Sequence, residues 1–164
     1  MTIVIADTSP GNYLVLIDEI GVLPRLYHRI VIPDDVLLEL MDEGAPPTVR
    51  EWARHYPGWL EIRKAPVRDP SLMDQDAGEG SAIALAELEN DVLLLIDESA
   101  GRLEAARRGI PNTGTLGVLR AAAIEFLVDL PSALDRLLAT NFRVSKGLVA
   151  DLIAEDADRK QRGP

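Results

Sequence analysis

The chain has 164 residues, 47% of them apolar and 4% aromatic, with no cysteine and a formal charge of −10. That length is one ordinary domain with enough apolar content for a full core, filled by Leu, Ile, Val and Ala rather than by rings. The missing cysteines exclude disulfides and zinc–thiolate sites and fit a reducing cytosol, and the negative charge argues against a protein that coats nucleic acid generally, though not against one that meets it through a local patch.

The apolar, β-branched run Ile3-Val-Ile5 predicts a short buried strand that stops at Asp7, before Thr8-Ser9 and a Pro10-Gly11 break. Asn12 is then expected to cap a helix carrying Leu14, Leu16, Ile17 and Ile20 and ending at Gly21. After a helical turn over Leu23–Tyr27, Ile30–Ile32 is a second strand. Pro33-Asp34-Asp35 opens a helix whose acids suit its positive end, with Val36, Leu37 and Leu40 on its buried side and Glu39 close by. A helix over Thr48–Tyr56 leads to the alternating Trp59–Arg63, a strand near a sheet edge. Residues 64–75 read as a loop. Asp76-Ala-Gly-Glu79 starts the next helix, and Val92–Ile96 is the strongest strand, again terminated by an aspartate, Asp97.

A helix over Ser99–Arg108 with Gly109 as its cap, a short strand at 110–113 and helices over 115–127, from Pro131 and from Ser145 complete the chain. Residues 155–164 are polar and expected to fray. Strands alternating with helices imply right-handed crossovers and a mostly parallel sheet covered on both faces, in one domain over residues 1–154. Neither a signal peptide nor a membrane-spanning run is present in the pattern, so a cytoplasmic protein without a membrane partner is expected.

Four carboxylates stand out. Asp7 and Asp97 end the two most apolar strands and so belong at the carboxyl edge of the sheet, where functional groups collect. Glu39 and Glu79 lie on helices that follow. Carboxylates sharing a pocket raise one another's pKa unless a cation compensates, and hard oxygen donors without histidine or cysteine suit Mg²⁺ or Mn²⁺. Such an ion activates water and stabilises charge on a phosphoryl centre. Each acid also has a structural reading: Asp76 and Glu79 have capping-box spacing, and Asp97 can cap the helix after it. Spacing alone does not bring Glu39 and Glu79 to the other two.

Other chemistries lack their residues. No Gly-x-Gly-x-x-Gly or Walker motif occurs, Ser9 stands where a haloacid-dehalogenase-like site needs a second aspartate, and neither His28 nor His55 has the context of a base or ligand. Arg102, Arg107, Arg108 and Arg120 are candidates for phosphate contacts. The pairs Glu98/Arg102 and Glu104/Arg108 also fit ordinary i,i+4 ion pairing, which is favoured for Arg107 and Arg108, and Arg102 stays open.

Ile5-Ala-Asp7-Thr-Ser-Pro10, Ile32-Pro33 through Glu39, Asp76-Ala-Gly-Glu79 with Ala82–Ala86, Leu94-Leu-Ile-Asp97-Glu98 with Arg102, and Thr113-Gly-Thr-Leu-Gly-Val-Leu119 resemble, in order and spacing, a PIN-domain protein of the VapC toxin type. The resemblance implies a three-layer α/β/α sandwich and a Mg²⁺- or Mn²⁺-dependent ribonuclease specific for single strands. It implies that Asp7 and Asp97 bind metal, that Glu39 and Glu79 complete the shell, and that Ser9 orients Asp7 or a water, with Thr8, Glu98 and Arg102 around them. Water would attack the phosphorus in line, leaving a 5′-phosphate and a 3′-hydroxyl. Such proteins often dimerise and are silenced by a cognate antitoxin. An alternative is a PIN-fold binding or scaffold protein with negligible nuclease activity, to which the −10 charge points.

Overall fold

The structure, a computed structural model, describes residues 1–68, 70–73 and 75–163. Five strands, β1 (Ile3–Ala6), β2 (Arg29–Pro33), β3 (Leu60–Arg63), β4 (Val92–Leu95) and β5 (Asn112–Thr113), form one sheet in the order β3-β2-β1-β4-β5, and every pairing is parallel. The registers Ile5↔Val31 and Ile5↔Leu94 seat β1 at the centre. Both faces of β1 are covered, which is why its sequence is continuously apolar rather than alternating. β3 alternates because it lies at an edge, as expected.

The strands divide two cores between them. Val4, Ala6, Ile30, Ile32 and Leu95 face a layer made by α1 (Thr8–Leu16), α2 (Val22–Leu26), α3 (Asp34–Met41), α4 (Pro47–Arg54), α7 (Thr115–Ile124), α8 (Leu130–Leu138) and α9 (Lys146–Arg162). Ile3, Ile5, Val31, Leu94 and Ile96 face α5 (Ala77–Ala86) and α6 (Ser99–Arg107). The result is a three-layer α/β/α sandwich. Ile5, Leu94 and Ile96 are fully buried, and truncating any of them to alanine costs about 2–5 kcal/mol.

From β1 the chain winds outward to β2 and β3, then returns across β1 to β4 and β5. The strand order therefore reverses between β1 and β4, and a crevice opens beyond their carboxyl ends. Asp7 and Asp97 follow those two strands and border that crevice.

Three expectations are corrected. The first helix begins at Thr8 and not at Asn12. Pro10 is its third residue, where an N–H has no intrahelical partner to lose, and Gly11 is buried beside Leu40, so Pro10-Gly11 is a helical first turn and not a break. That helix ends at Leu16, with Asp18 rather than Gly21 in the left-handed region (φ 59°). The tail expected to fray is helical to Arg162: Asp156 is buried and paired with Arg159 and Lys160, and Leu152 is in the core. Of the loop expected over 64–75, Asp69 and Asp74 lie outside the described residues, as does Pro164. The remainder includes a 3₁₀ turn at Pro70–Leu72 that buries Leu72.

Candidate metal centre

In a parallel sheet the carboxyl ends of the strands are also where the next helices begin. Asp7 is the N-cap of α1, Asp76 of α5, and Glu98 of α6. The N-cap of α7 is Gly114, which has no side chain to cap the helix, and Asp97 acts from outside: its Oδ1 accepts from the Thr115 N–H at 2.7 Å. Four helix N-termini thus meet at one crevice, and each offers unpaired N–H groups and a partial positive charge to acids. The fold itself gathers carboxylates here.

Asp7, Glu39 and Asp76 come closest, each offering an oxygen within 4.8 Å of the others'. Glu39 reaches the first turn of α5, where its Oε1 accepts from the Gly78 N–H at 2.8 Å, and its Oε2 accepts from the Thr8 hydroxyl. Asp76 Oδ1 accepts from the Glu79 N–H at 2.7 Å, which is half of the capping box read from the sequence. Arg68 approaches the same turn but spends a guanidinium N–H on the Asp76 carbonyl, at 3.2 Å. Asp7 is only 4% exposed, and its Oδ1 is buried with no hydrogen-bond partner.

Burial pushes the Asp7 carboxyl from 3.8 up to about 8. The Thr8 N–H opposes this, and Asp76, Glu79 and Glu39 raise it further. Burial, then Asp76, Glu98 and Glu39, lifts Glu79 to about 7. An unpartnered buried carboxylate oxygen among like charges is costly. A divalent cation removes both problems at once, and an all-oxygen donor set suits a hard ion.

Three of the acids also press against glycines. A Cβ on Gly78 would lie 2.5 Å from Glu39 Oε2, one on Gly101 2.6 Å from Glu79 Cδ, and one on Gly114 2.7 Å from Asp97 Oδ1. No side chain fits in those places, so the backbone itself backs each carboxylate.

Asp97 has a different situation from Asp7. Its Oδ2 accepts from Ser9 Oγ at 2.8 Å and Thr115 Oγ1 at 2.7 Å, while its Oδ1 holds the Thr115 amide. It ties the start of α1 to the start of α7, and Ser9, expected beside Asp7, is turned toward it. Asp76, read from sequence only as a cap, takes the place beside Asp7 and Glu39 that had been expected for Asp97. The signal was present in Asp-x-x-Glu, whose first acid is exposed and whose second is buried. Glu79 is buried, with its carboxylate against Gly101.

A family model described as DUF3368, a PIN domain, matches residues 3–157. The chain belongs to that PIN-domain family. No curated protein matches it. PIN domains are in general nucleases, so the class of substrate is nucleic acid, and the acid triad of this PIN domain could hold a divalent metal.

The remaining residues of the expected site divide. Thr8, Ser9 and Glu98 share a cavity of about 340 Å³ with Asp7, Glu39 and Asp76. Arg102 lies farther along, past Asp97. The expected Glu98–Arg102 ion pair is not formed: Glu98 stands at the N-cap position of α6, makes no side-chain capping bond, and lines the acid cavity. Glu104 does pair with Arg108, at 2.8 Å, and with Arg107. Arg120 pairs with Glu155 at 2.8 Å. Among the described residues, no helix is long and apolar enough to cross a membrane.

Proposed function

We propose that this PIN domain is a Mg²⁺- or Mn²⁺-dependent endoribonuclease of the VapC type, cutting single-stranded RNA as the toxin of a toxin–antitoxin pair in the cytoplasm. The observation that carries the reading is the buried, unpartnered Oδ1 of Asp7 within a triad of carboxylates. Asp7, Glu39 and Asp76 are the residues to hold the ion. When bound, it supplies Lewis acidity toward the phosphoryl oxygens and makes water a nucleophile near neutral pH. The chain's own part is positional. The Gly78 N–H and the Thr8 hydroxyl fix both oxygens of Glu39, and the α5 cap fixes Asp76. Asp97 holds Ser9 and Thr115 on the crevice's other wall, and Glu79 adds negative charge behind the triad.

A homodimer and a cognate antitoxin belong to the same proposal. Leu38, 62% exposed, borders a cavity of about 620 Å³ that also touches Thr8 and Glu39, an apolar surface beside the acids for a protein partner. The experiment is cleavage of single-stranded RNA by the purified chain with Mg²⁺, with Mn²⁺ and with chelator. Asp7→Asn should abolish turnover while the fold survives. Full activity in that variant, or in chelator, would sink the proposal. The second reading, a PIN-fold binding protein, is favoured by the charge of −10, and metal-dependent turnover free of contaminating nuclease excludes it.

A further inference from the structure

The acid cavity is one part of a longer cleft. It shares Ser9, Tyr13 and Glu98 with a neighbouring cavity of about 360 Å³. That one shares Asp97, Phe142 and Arg143 with a third, of about 420 Å³, which Arg102 also lines. All three lie within the range of about 300–1,000 Å³ typical of ligand pockets. The cleft therefore runs from carboxylates at one end to arginines at the other.

Those arginines differ from most on this surface. Arg29, Arg63, Arg107, Arg108, Arg120, Arg136 and Arg159 are all matched to carboxylates. Arg102 and Arg143 have no ion-pair partner among the described residues, although the chain carries a large excess of acid. Arg120 reaches the same cavity but is neutralised by Glu155. The backbone leading to Arg143 is held in place. The preceding Phe142 packs edge-on against Tyr13, ring centroids 4.9 Å apart, and the Tyr13 hydroxyl donates to Asn141 Oδ1 at 2.7 Å. This anchors the segment before α9 to α1, across the cleft.

We propose that Arg102 and Arg143 form a phosphate-binding subsite, seating backbone phosphates of a single strand beside the bond held at the acid triad. The proposal rests on the nuclease reading and adds to it where the strand leaves the acids and which residues receive it. An anionic strand is repelled by the acid cluster until cations balance it, so two guanidinium groups past Asp97 without ion-pair partners give it direction.

The test is binding of a fluorescein-labelled single-stranded RNA, by anisotropy across a KCl series with Mg²⁺ present. An Asp7→Asn parent prevents cleavage. For single strands each phosphate contact contributes about −0.7 to the slope of log K against log salt. Arg102→Ala/Arg143→Ala in the parent should flatten that slope by about 1.4, each single change by about 0.7, and the double lysine variant should keep it. An unchanged slope in the double alanine variant, or a parent that does not bind, overturns the subsite. Cleavage by the unmodified chain is scored separately. A flattened slope in a protein that never cleaves RNA upholds the subsite and defeats the nuclease reading alone.

Discussion

Asp7→Asn separates the charge of the buried carboxyl from its shape, and the protein's stability without metal should report the difference. In the unfolded chain an aspartate gives up its proton near 3.8, whereas folded Asp7 keeps it to about 8. Between those values the native state binds more protons than the unfolded state, so stability falls as pH rises. The contribution is fully present below pH 4, declines through the window and levels off above 8. At 1.36 kcal/mol per pH unit, the four-unit gap amounts to about 5 kcal/mol, an upper bound because neighbours relax. The asparagine side chain has no proton to lose. In chelator the variant should therefore match the parent at pH 4 and exceed it increasingly toward pH 8. Urea unfolding at pH 4, 6 and 8 measures this directly, since with m of about 1–3 kcal/mol/M the expected gain moves the midpoint by a molar or more. Mn²⁺ should then restore the parent, by about 2.7 kcal/mol at a hundred times its Kd, and leave the variant unmoved. Equal stability of the two proteins at pH 8 in chelator would refute the reasoning that Asp7 is a destabilised, cation-seeking carboxyl.

The other predictions isolate single contacts. Asp76→Ser and Asp76→Ala both remove a charge and should both lose Mn²⁺ affinity by calorimetry, but serine still accepts from the Glu79 N–H, so it should unfold about 1 kcal/mol later than alanine. Equal stabilities would show that the cap contributes nothing. Gly101→Ala places a methyl 2.6 Å from both Glu79 Cδ and Ile96 Cδ1. It should cost about 1–3 kcal/mol by overpacking, only partly offset by the roughly 1 kcal/mol alanine gains in a helix, and a raised melting temperature would contradict it. Thr115→Val keeps shape and burial but removes the 2.7 Å bond to Asp97, and should lower stability by about 1.5–3 kcal/mol in urea at pH 7.

The sheet was legible because its strands are buried on both faces: Ile3–Ala6 and Val92–Leu95 could be written as continuous apolar runs only in that position. Helix starts were legible where a cap announced them, as at Ser145, whose Oγ accepts from the Leu148 N–H. They were misread at Pro10-Gly11, because the signs of a turn are also tolerated in a helix's first turn. The carboxyl tail looked polar and frayed by composition. Its helicity depends on Asp156, whose two cationic partners lie three and four residues on, and on Leu152 packing into a core that composition cannot show.

The acids were found by where strands end, but their division of labour was not, and the reason is physical. A carboxylate after a parallel strand can bond the amides of the helix it starts, bond another helix, or face the crevice, and all three uses look the same in sequence. Asp97 spends both oxygens on Thr115 and Ser9, 18 and 88 residues away. Asp76 spends Oδ1 on its own helix and still lies within reach of Asp7. Which acid is left with unmet demand is therefore decided by long-range partners. Asp7 is the acid whose nearest amides do not meet that demand. Its helix begins with Thr8 and Ser9, whose hydroxyls are taken by Glu39 and Asp97, and its Oδ1 is the one carboxylate oxygen among the described residues that is buried without a partner. The charge that a cation must balance is concentrated at the residue least able to balance it from within the chain.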